Sequence, residues 1–367
     1  MVRVLSLVSY TFLPAKVGGQ KGIALFNKYF SRHTDLHVVT TKTNDNGRAE
    51  GYATIPLFSG SPLRYVNPLQ YFRIRKIIRG LRPSHLLIEH PYLGWLAVLL
   101  KKTMGLKLVV HSHNIESLRF KTLGKWWWGI LWHYEKWTHQ NADYNLFITE
   151  EDRQTALRDY ALDAEKCTLL TYGIERAGRP SEEEQAQART TVRRQHGLKA
   201  EERLLLFAGA FNYGPNLAAL QIIEHEIAPR LQQQGFPFRV LVCGPGLDGK
   251  SPGHPKVAYA GFVDDIYQYF MATDVFLNPL TEGGGIKTKL VESLGMNANA
   301  VSTNNGAIGV DPALCNGKLQ VAGDGDWQAF AEAVVAMASV QKDIGPEYYG
   351  HFYWGYSTQK AAEFICR

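Results

Sequence analysis

The chain has 367 residues, more than one ordinary core absorbs, so its length points to two domains. An apolar fraction of 45% is that of a folded globular protein and excludes a disordered chain. Charge is uneven: residues 1–170 carry 23 Lys and Arg against 13 Asp and Glu, the remainder 17 against 21, which implies different partners for the two halves.

The run from Val2 to Leu13 has the apolarity of a secretory leader, but only Arg3 flanks it and it lacks a small-residue cleavage site. We read Val2–Ser9 as a first buried strand. It leads into Lys16-Val17-Gly18-Gly19, a glycine turn with Gly22 beyond. Further strand-like runs follow at Leu36–Thr40, His85–Ile88, Leu106–His111 and Tyr144–Thr149, with helical patterns between them. Two segments interleave basic and ring-bearing residues. One runs from Arg64-Tyr65 to Arg79, with Phe72, Ile74, Ile77 and Ile78 among Arg73, Arg75 and Lys76; the other runs from Lys125-Trp126 to Trp137. Such segments suit an anionic membrane interface, and equally a solvated basic face over an aromatic core. Nucleic acid is excluded as a partner, since no RNP-like, helix-turn-helix or zinc pattern accompanies the charge. No apolar run reaches the ~20 residues that span a bilayer; Trp95–Val110 is broken by Lys101-Lys102.

After the fourth strand comes His111-Ser112-His113-Asn114-Ile115-Glu116. Ligands of open α/β sheets bind at the carboxyl ends of strands, which favours function here over a plain helix cap. Gly173–Lys199 reads as a linker and an entry helix. Five more strands are expected at Arg203–Ala208, Phe238–Cys243, Val257–Ala260, Val275–Leu277 and Ala300–Ser302, and a helix over Trp354–Arg367. Two sets of five strands predict two Rossmann-like domains with parallel sheets facing a central cleft. The cysteines Cys167, Cys243, Cys315 and Cys366 form no C-x-x-C pair, which points to a reducing compartment and to no zinc site.

Residues 279 to 294 carry the sharpest signal: Pro279-Leu280-Thr281-Glu282-Gly283-Gly284-Gly285-Ile286-Lys287-Thr288-Lys289-Leu290-Val291-Glu292-Ser293-Leu294. Glycines between a strand and a helix let backbone N–H groups approach a phosphate, and the helix start adds partial positive charge. Lys287 and Lys289 supplement it. Glu292 lies roughly 8–10 Å deeper at helical rise, where a carboxylate accepts both hydroxyls of a ribose.

This string, with Ala300-Val301-Ser302-Thr303 after it, resembles the donor-site signature of glycosyltransferase family 4, the retaining GT-B enzymes that use nucleotide sugars. It is similar to the branch reading G-G-G-x-x-x-K-x-x-E. The family's earlier glutamate falls on Gly284, with Glu282 displaced by two positions. Tyr172-Gly173-Ile174 resembles the family's marker at the domain junction. The resemblance implies an acceptor-side domain over residues 1–175, a donor domain over 176–350, and a helix over 351–367 that crosses back to the first domain. It implies His113 beside the transferred sugar, with Glu116 positioning it or serving the acceptor. Gly18 and Gly19 face the diphosphate, and Asn212, Gly244, Phe262 and Val263 line the nucleotide. Gly283, Gly284, Gly285, Lys287, Thr288 and Lys289 take the diphosphate, and Glu292 takes the ribose. Relatives outside this branch place an Arg and a Lys near Asn212; this chain has neither, so Lys287 and Lys289 carry more of that role. No metal and no cofactor are expected. The donor would be a UDP- or GDP-linked sugar and the acceptor a glycan or lipid-linked hydroxyl, handled in the cytoplasm or at the inner face of a membrane. Two alternatives share this logic: a non-hydrolysing nucleotide-sugar epimerase, and a non-catalytic nucleotide-sugar-binding scaffold of a glycan assembly complex.

Overall fold

The computed structural model describes residues 1–15 and 18–367. Lys16 and Val17, half of the expected glycine turn, lie outside the described residues. The chain divides into two compact units, Met1–Tyr172 with Trp354–Arg367, and Gly173–Tyr353.

Both units are doubly wound α/β folds. In the first, β1 (Arg3–Leu7), β2 (Asp35–Thr41), β3 (Ala53–Phe58), β4 (His85–Glu89), β5 (Lys107–Ser112), β6 (Tyr144–Phe147) and β7 (Cys167–Leu169) form one parallel sheet. Its order is β3-β2-β1-β4-β5-β6-β7. In the second, β8 (Arg203–Ala208), β9 (Phe238–Cys243), β10 (Val257–Gly261), β11 (Val275–Asn278), β12 (Asn299–Thr303) and β13 (Leu319–Ala322) are ordered β10-β9-β8-β11-β12-β13, again parallel. The central strands are buried along their length, as Leu204-Leu205-Leu206-Phe207 shows; unbroken apolar runs of this kind form strands covered on both faces.

The helices are α1 (Gly18–Phe30), α2 (Leu69–Leu81), α3 (Gly94–Met104), α4 (Glu116–Thr122), α5 (Trp128–Gln140), α6 (Glu150–Asp159), α7 (Glu182–Gln195), α8 (Gly214–Ile222), α9 (Ala228–Gln233), α10 (Ile266–Ala272), α11 (Thr288–Gly295), α12 (Trp327–Met337), α13 (Pro346–Phe352) and α14 (Trp354–Ile365). Helix α14 packs on α1 within the first unit. His85 Nε2 donates to the Ile365 carbonyl at 2.9 Å, and Tyr172 meets Trp354 edge-on with ring centroids 5.6 Å apart.

Three strands go beyond the ten expected ones, and β3, β7 and β13 are all sheet edges. Edge strands are short and half exposed, so their apolar signal is thin. β3 even carries Pro56, which an edge tolerates because the missing N–H breaks no ladder bond on its free side. In each sheet the chain order reverses beside the first strand, at β1/β4 and β8/β11. The loops leaving the carboxyl ends there are where ligands of such sheets bind.

Candidate functional site

In the second unit, β8 and β11 deliver two loops to that reversal point. The turn after β8 is pressed against the turn after β9. A Cβ on Gly244, whose φ is +138°, would lie 1.7 Å from the Gly209 carbonyl oxygen, so only glycine allows the approach. Asn216 Nδ2 donates to Ala210 O at 2.9 Å and holds the turn, leaving Asn212 exposed. In the loop after β11, Gly283 (φ +90°) and Gly285 (φ +72°) are left-handed. Lys287 braces this loop: its ammonium donates to Gly283 O at 2.7 Å and Gly285 O at 2.9 Å, and burial lowers its pKa to about 8. Lys287 is also the N-cap residue of α11, and no side chain caps that helix start. The first N–H groups, beginning at half-buried Thr288, thus have no capping side chain and can meet an anion.

One turn into α11, Lys289 Nζ lies 2.7 Å from Glu292 Oε2, and Glu292 is 1% exposed. The structure therefore assigns the two lysines different work. Lys287 shapes the glycine loop, whereas Lys289 faces the buried carboxylate. At the end of β10, Phe262 is 73% exposed and Val263 is half buried. Glu282 is exposed.

In the first unit, the carboxyl ends of β4 and β5 bring together Glu89, His90, His111 and His113, all buried. Glu89 is in register with His111, and His113 follows two residues on, toward the same side. The three imidazoles form a column: His90 and His113 stack with centroids 4.3 Å apart, and His111 and His113 lie 4.4 Å apart. Phe26 covers the His111 end at 4.7 Å, and Tyr10 Oη lies 2.9 Å from His90 Nε2 across the β1/β4 reversal. His113 Nε2 donates to Glu89 Oε2 at 2.6 Å, and His111 Nδ1 lies 2.9 Å from the same oxygen. Burial alone would raise the Glu89 carboxyl, but its two imidazole neighbours outweigh it and hold the pKa well below the usual range. Burial pushes the pKa values of His90 and His111 down.

Glu116 does not reach His113. It accepts from Tyr92 Oη at 2.7 Å and from Arg119 at 2.9 Å, and lies 3.0 Å from His90 Nδ1. Burial opposes its ionisation, yet these partners bring it down to about 2. The place beside His113 that the sequence offered to Glu116 belongs to Glu89. Glu135 of α5 accepts the backbone N–H groups of Glu116 and Ser117, both at 2.9 Å, and so caps α4 and fixes the segment carrying Glu116. Gly18 and Gly19 open α1, and a Cβ on Gly19 would meet nothing within 4 Å.

Sequence reasoning missed Glu89, His90, Tyr10 and Glu135. The signal for the first two was present: Leu86-Leu87-Ile88 ends abruptly in a carboxylate and an imidazole at a strand terminus. Helix α2 also differs from expectation. Ile74 and Ile78 are in the core, and the exposed apolar residues are Leu69 and Phe72, the latter 64% exposed beside Arg73, Lys76 and Arg79, with Leu63 and Val66 exposed just before the helix. Leu123, Trp126 and Ile130 are likewise exposed near Lys121 and Lys125. α3 packs against both α2 and α5. Among the described residues no helix is long and apolar enough to cross a membrane.

Residues 18–177 match the sequence family described as Glycosyltransferase Family 4, and residues 202–339 match Glycosyl transferases group 1. No curated protein sequence matches the chain. Solved structures do. Sucrose-phosphate synthase from Thermosynechococcus elongatus is 16% identical with a TM-score of 0.74, over 99% of this chain and 98% of that one. Anabaena HepE in complex with UDP is 15% identical with a TM-score of 0.74, over the whole of both chains. A glycosyltransferase from Rickettsia africae is 14% identical with a TM-score of 0.71, over 99% of this chain and 97% of that one. At such identities the likeness is one of fold.

Proposed function

The chain belongs to the GT-B glycosyltransferases of the family 4 and group 1 type, and from that premise we propose that it moves a hexosyl group from a nucleoside-diphosphate sugar to an acceptor hydroxyl with retained configuration. The observation that carries this reading is the start of α11. Its end has no capping side chain, its glycine loop is braced from beneath by Lys287, and a buried carboxylate, Glu292, waits one turn further along. That arrangement suits a diphosphate at the helix start and a ribose diol at Glu292. Lys289, between them, serves both. The Anabaena HepE complexes with UDP and UDP-glucose favour a uridine donor over a guanosine one. Phe262 offers an exposed ring on which a base can stack.

Departure of the diphosphate is the step to stabilise. Glycine amides, the α11 N-terminus and Lys289 are fixed charges aimed where negative charge grows, and preorganised charge of this kind supplies most of the rate enhancement of many enzymes. No metal is required by this scheme. His113, at a strand end of the first unit, takes a hydroxyl of the transferred sugar. The acceptor is lipid-linked: Phe72, Leu69 and Trp126 enter the interface while Arg73, Lys76, Arg79, Lys121 and Lys125 meet anionic headgroups.

A donor panel tests the reading. UDP-, GDP-, ADP- and CMP-sugars are incubated with the protein, without acceptor, and free nucleotide is measured. Slow hydrolysis of a uridine donor with release of the α-anomer is expected. Tight binding with no turnover of any donor, with or without lipid acceptors, would leave a binding subunit instead.

A further inference from the structure

His113 is held on three sides. His90 and His111 lie on its faces, and Glu89 Oε2 takes its Nε2 edge at 2.6 Å. Among the described residues no side chain or carbonyl bonds its Nδ1, and the side chain is 8% exposed. Glu89 is equally confined. Its only ion-pair partners among the described residues are the two imidazoles, with no Lys or Arg in reach. A buried carboxylate in that position must be met by an N–H. His111 meets it poorly: its Nδ1 is near enough, but neither of its ring nitrogens has a hydrogen-bond partner among the described residues. The N–H that answers Glu89 is therefore that of His113 Nε2.

Glu89, His111 and His113 also put three ligand atoms within 4.8 Å of one another, as a metal site would. The spacing argues against one. Two ligands on a tetrahedral zinc with bonds near 2.0–2.1 Å stand about 3.3 Å apart. His113 and Glu89 are at 2.6 Å, the distance of a charge-assisted hydrogen bond.

We infer that Glu89 is the positioning residue of this site: by accepting the Nε2 proton it fixes the His113 tautomer, leaving the Nδ1 lone pair turned outward to accept a hydrogen bond or proton from a substrate hydroxyl. The inference rests on the proposed transferase activity only for the identity of that hydroxyl, a sugar's. The logic is that of a carboxylate orienting an imidazole whose other nitrogen does the work. The remaining groups around the column fit one role each. Tyr10 and Glu116 engage His90, with Tyr92 and Arg119 holding Glu116 in turn, so Glu116 answers His90 and leaves Glu89 to His111 and His113.

Two measurements on the full chain test this. The first needs no substrate: two-bond proton–nitrogen correlation spectra of protein labelled at histidine nitrogens, assigned with His113→Gln. His113 should be in the Nε2–H form, and Glu89→Gln should abolish that preference. The second is the steady-state kinetics of donor turnover: Glu89→Gln should cut kcat at least tenfold, with donor KM nearly unchanged. Should Glu89→Gln fail to fold, Glu89→Asp keeps the charge, and it should keep the Nε2–H tautomer while lowering kcat. An Nδ1–H tautomer in the unaltered protein overturns the inference. So does an unmoved tautomer with unaltered kcat in a folded Glu89→Gln protein, or stoichiometric zinc binding that shifts His111 and His113 together. Because the tautomer is read without substrate, it stands or falls separately from the transferase reading.

Discussion

Lys289 Nζ lies 2.7 Å from Glu292 Oε2, one helical turn inside α11, and the carboxylate it faces is 1% exposed. A buried carboxylate with its own cation, so near an open helix start, is ready to exchange that cation's hydrogen bond for a ligand's hydroxyl pair. Glu292→Ala removes both acceptors, each charge-assisted bond being worth roughly 1.5–3 kcal/mol. Donor turnover should fall at least tenfold in a protein that still folds. Lys289→Met should weaken UDP more than uridine. Kinetics unaltered in a folded Glu292→Ala protein would remove the ribose assignment.

Lys287 should behave differently, because it acts on the loop. Its ammonium holds two glycine carbonyls. Lys287→Met leaves both without that donor and lets the left-handed turns at Gly283 and Gly285 relax. Calorimetry should show UDP affinity falling with a larger unfavourable entropy of binding, while uridine binding barely changes. Equal losses for nucleotide and nucleoside would mean that the loop does not bind phosphate.

Glu135 makes stability pH-dependent. Burial outweighs its two backbone hydrogen bonds and raises its pKa from 4.5 to about 7. A raised carboxyl takes up a proton on folding between those values, so stability falls as pH rises from 4.5 to 7 and is flat in this respect outside that window. The span is worth on the order of 3 kcal/mol. Asp152, raised to about 6, acts in the same direction. Burial lowers the pKa values of His90, His111 and His139, the last to about 4, and these act in the opposite direction up to the unfolded histidine value. The Glu135 contribution is therefore read as a difference: across the window, stability measured by thermal unfolding should fall less, or rise more, in Glu135→Gln than in the unaltered protein. An unchanged slope in Glu135→Gln would place the titration elsewhere.

The exposed apolar and basic side chains within residues 63–79 and 121–130 predict reversible binding to anionic vesicles. Each basic residue contributes about 1 kcal/mol near such a surface. Co-sedimentation should need anionic lipid, weaken with salt, and drop in a Phe72→Ser, Trp126→Ser double variant even at low salt. Protein that stays in the supernatant with anionic vesicles at low salt would leave a soluble acceptor.

The sequence was most legible where one element decides its own geometry. β8 and β9 end where the apolar runs end, and the glycine string announced both its strand and its helix. Edge strands β3, β7 and β13 escaped because three to six half-exposed residues carry little periodic signal. The His113 surroundings escaped for another reason. Glu89 is 24 residues from His113 in the chain, and only the pairing of β4 with β5 brings them together. Lys287 and Lys289 were read as equivalent charges because spacing along a chain does not show which one turns back on its own loop.

Helix α14 emerges from a ribosome only after all of Gly173–Tyr353, yet it belongs to the unit begun at Met1. The second unit is one uninterrupted stretch and is able to finish folding while α14 is still being made. The first unit must wait, with His85, Tyr144 and Tyr172 lacking the partners that Ile365, Phe364 and Trp354 later supply. The half of the protein started first is completed last, so a premature stop shortly after residue 353 strikes the histidine column's half of the molecule and spares the glycine loop's.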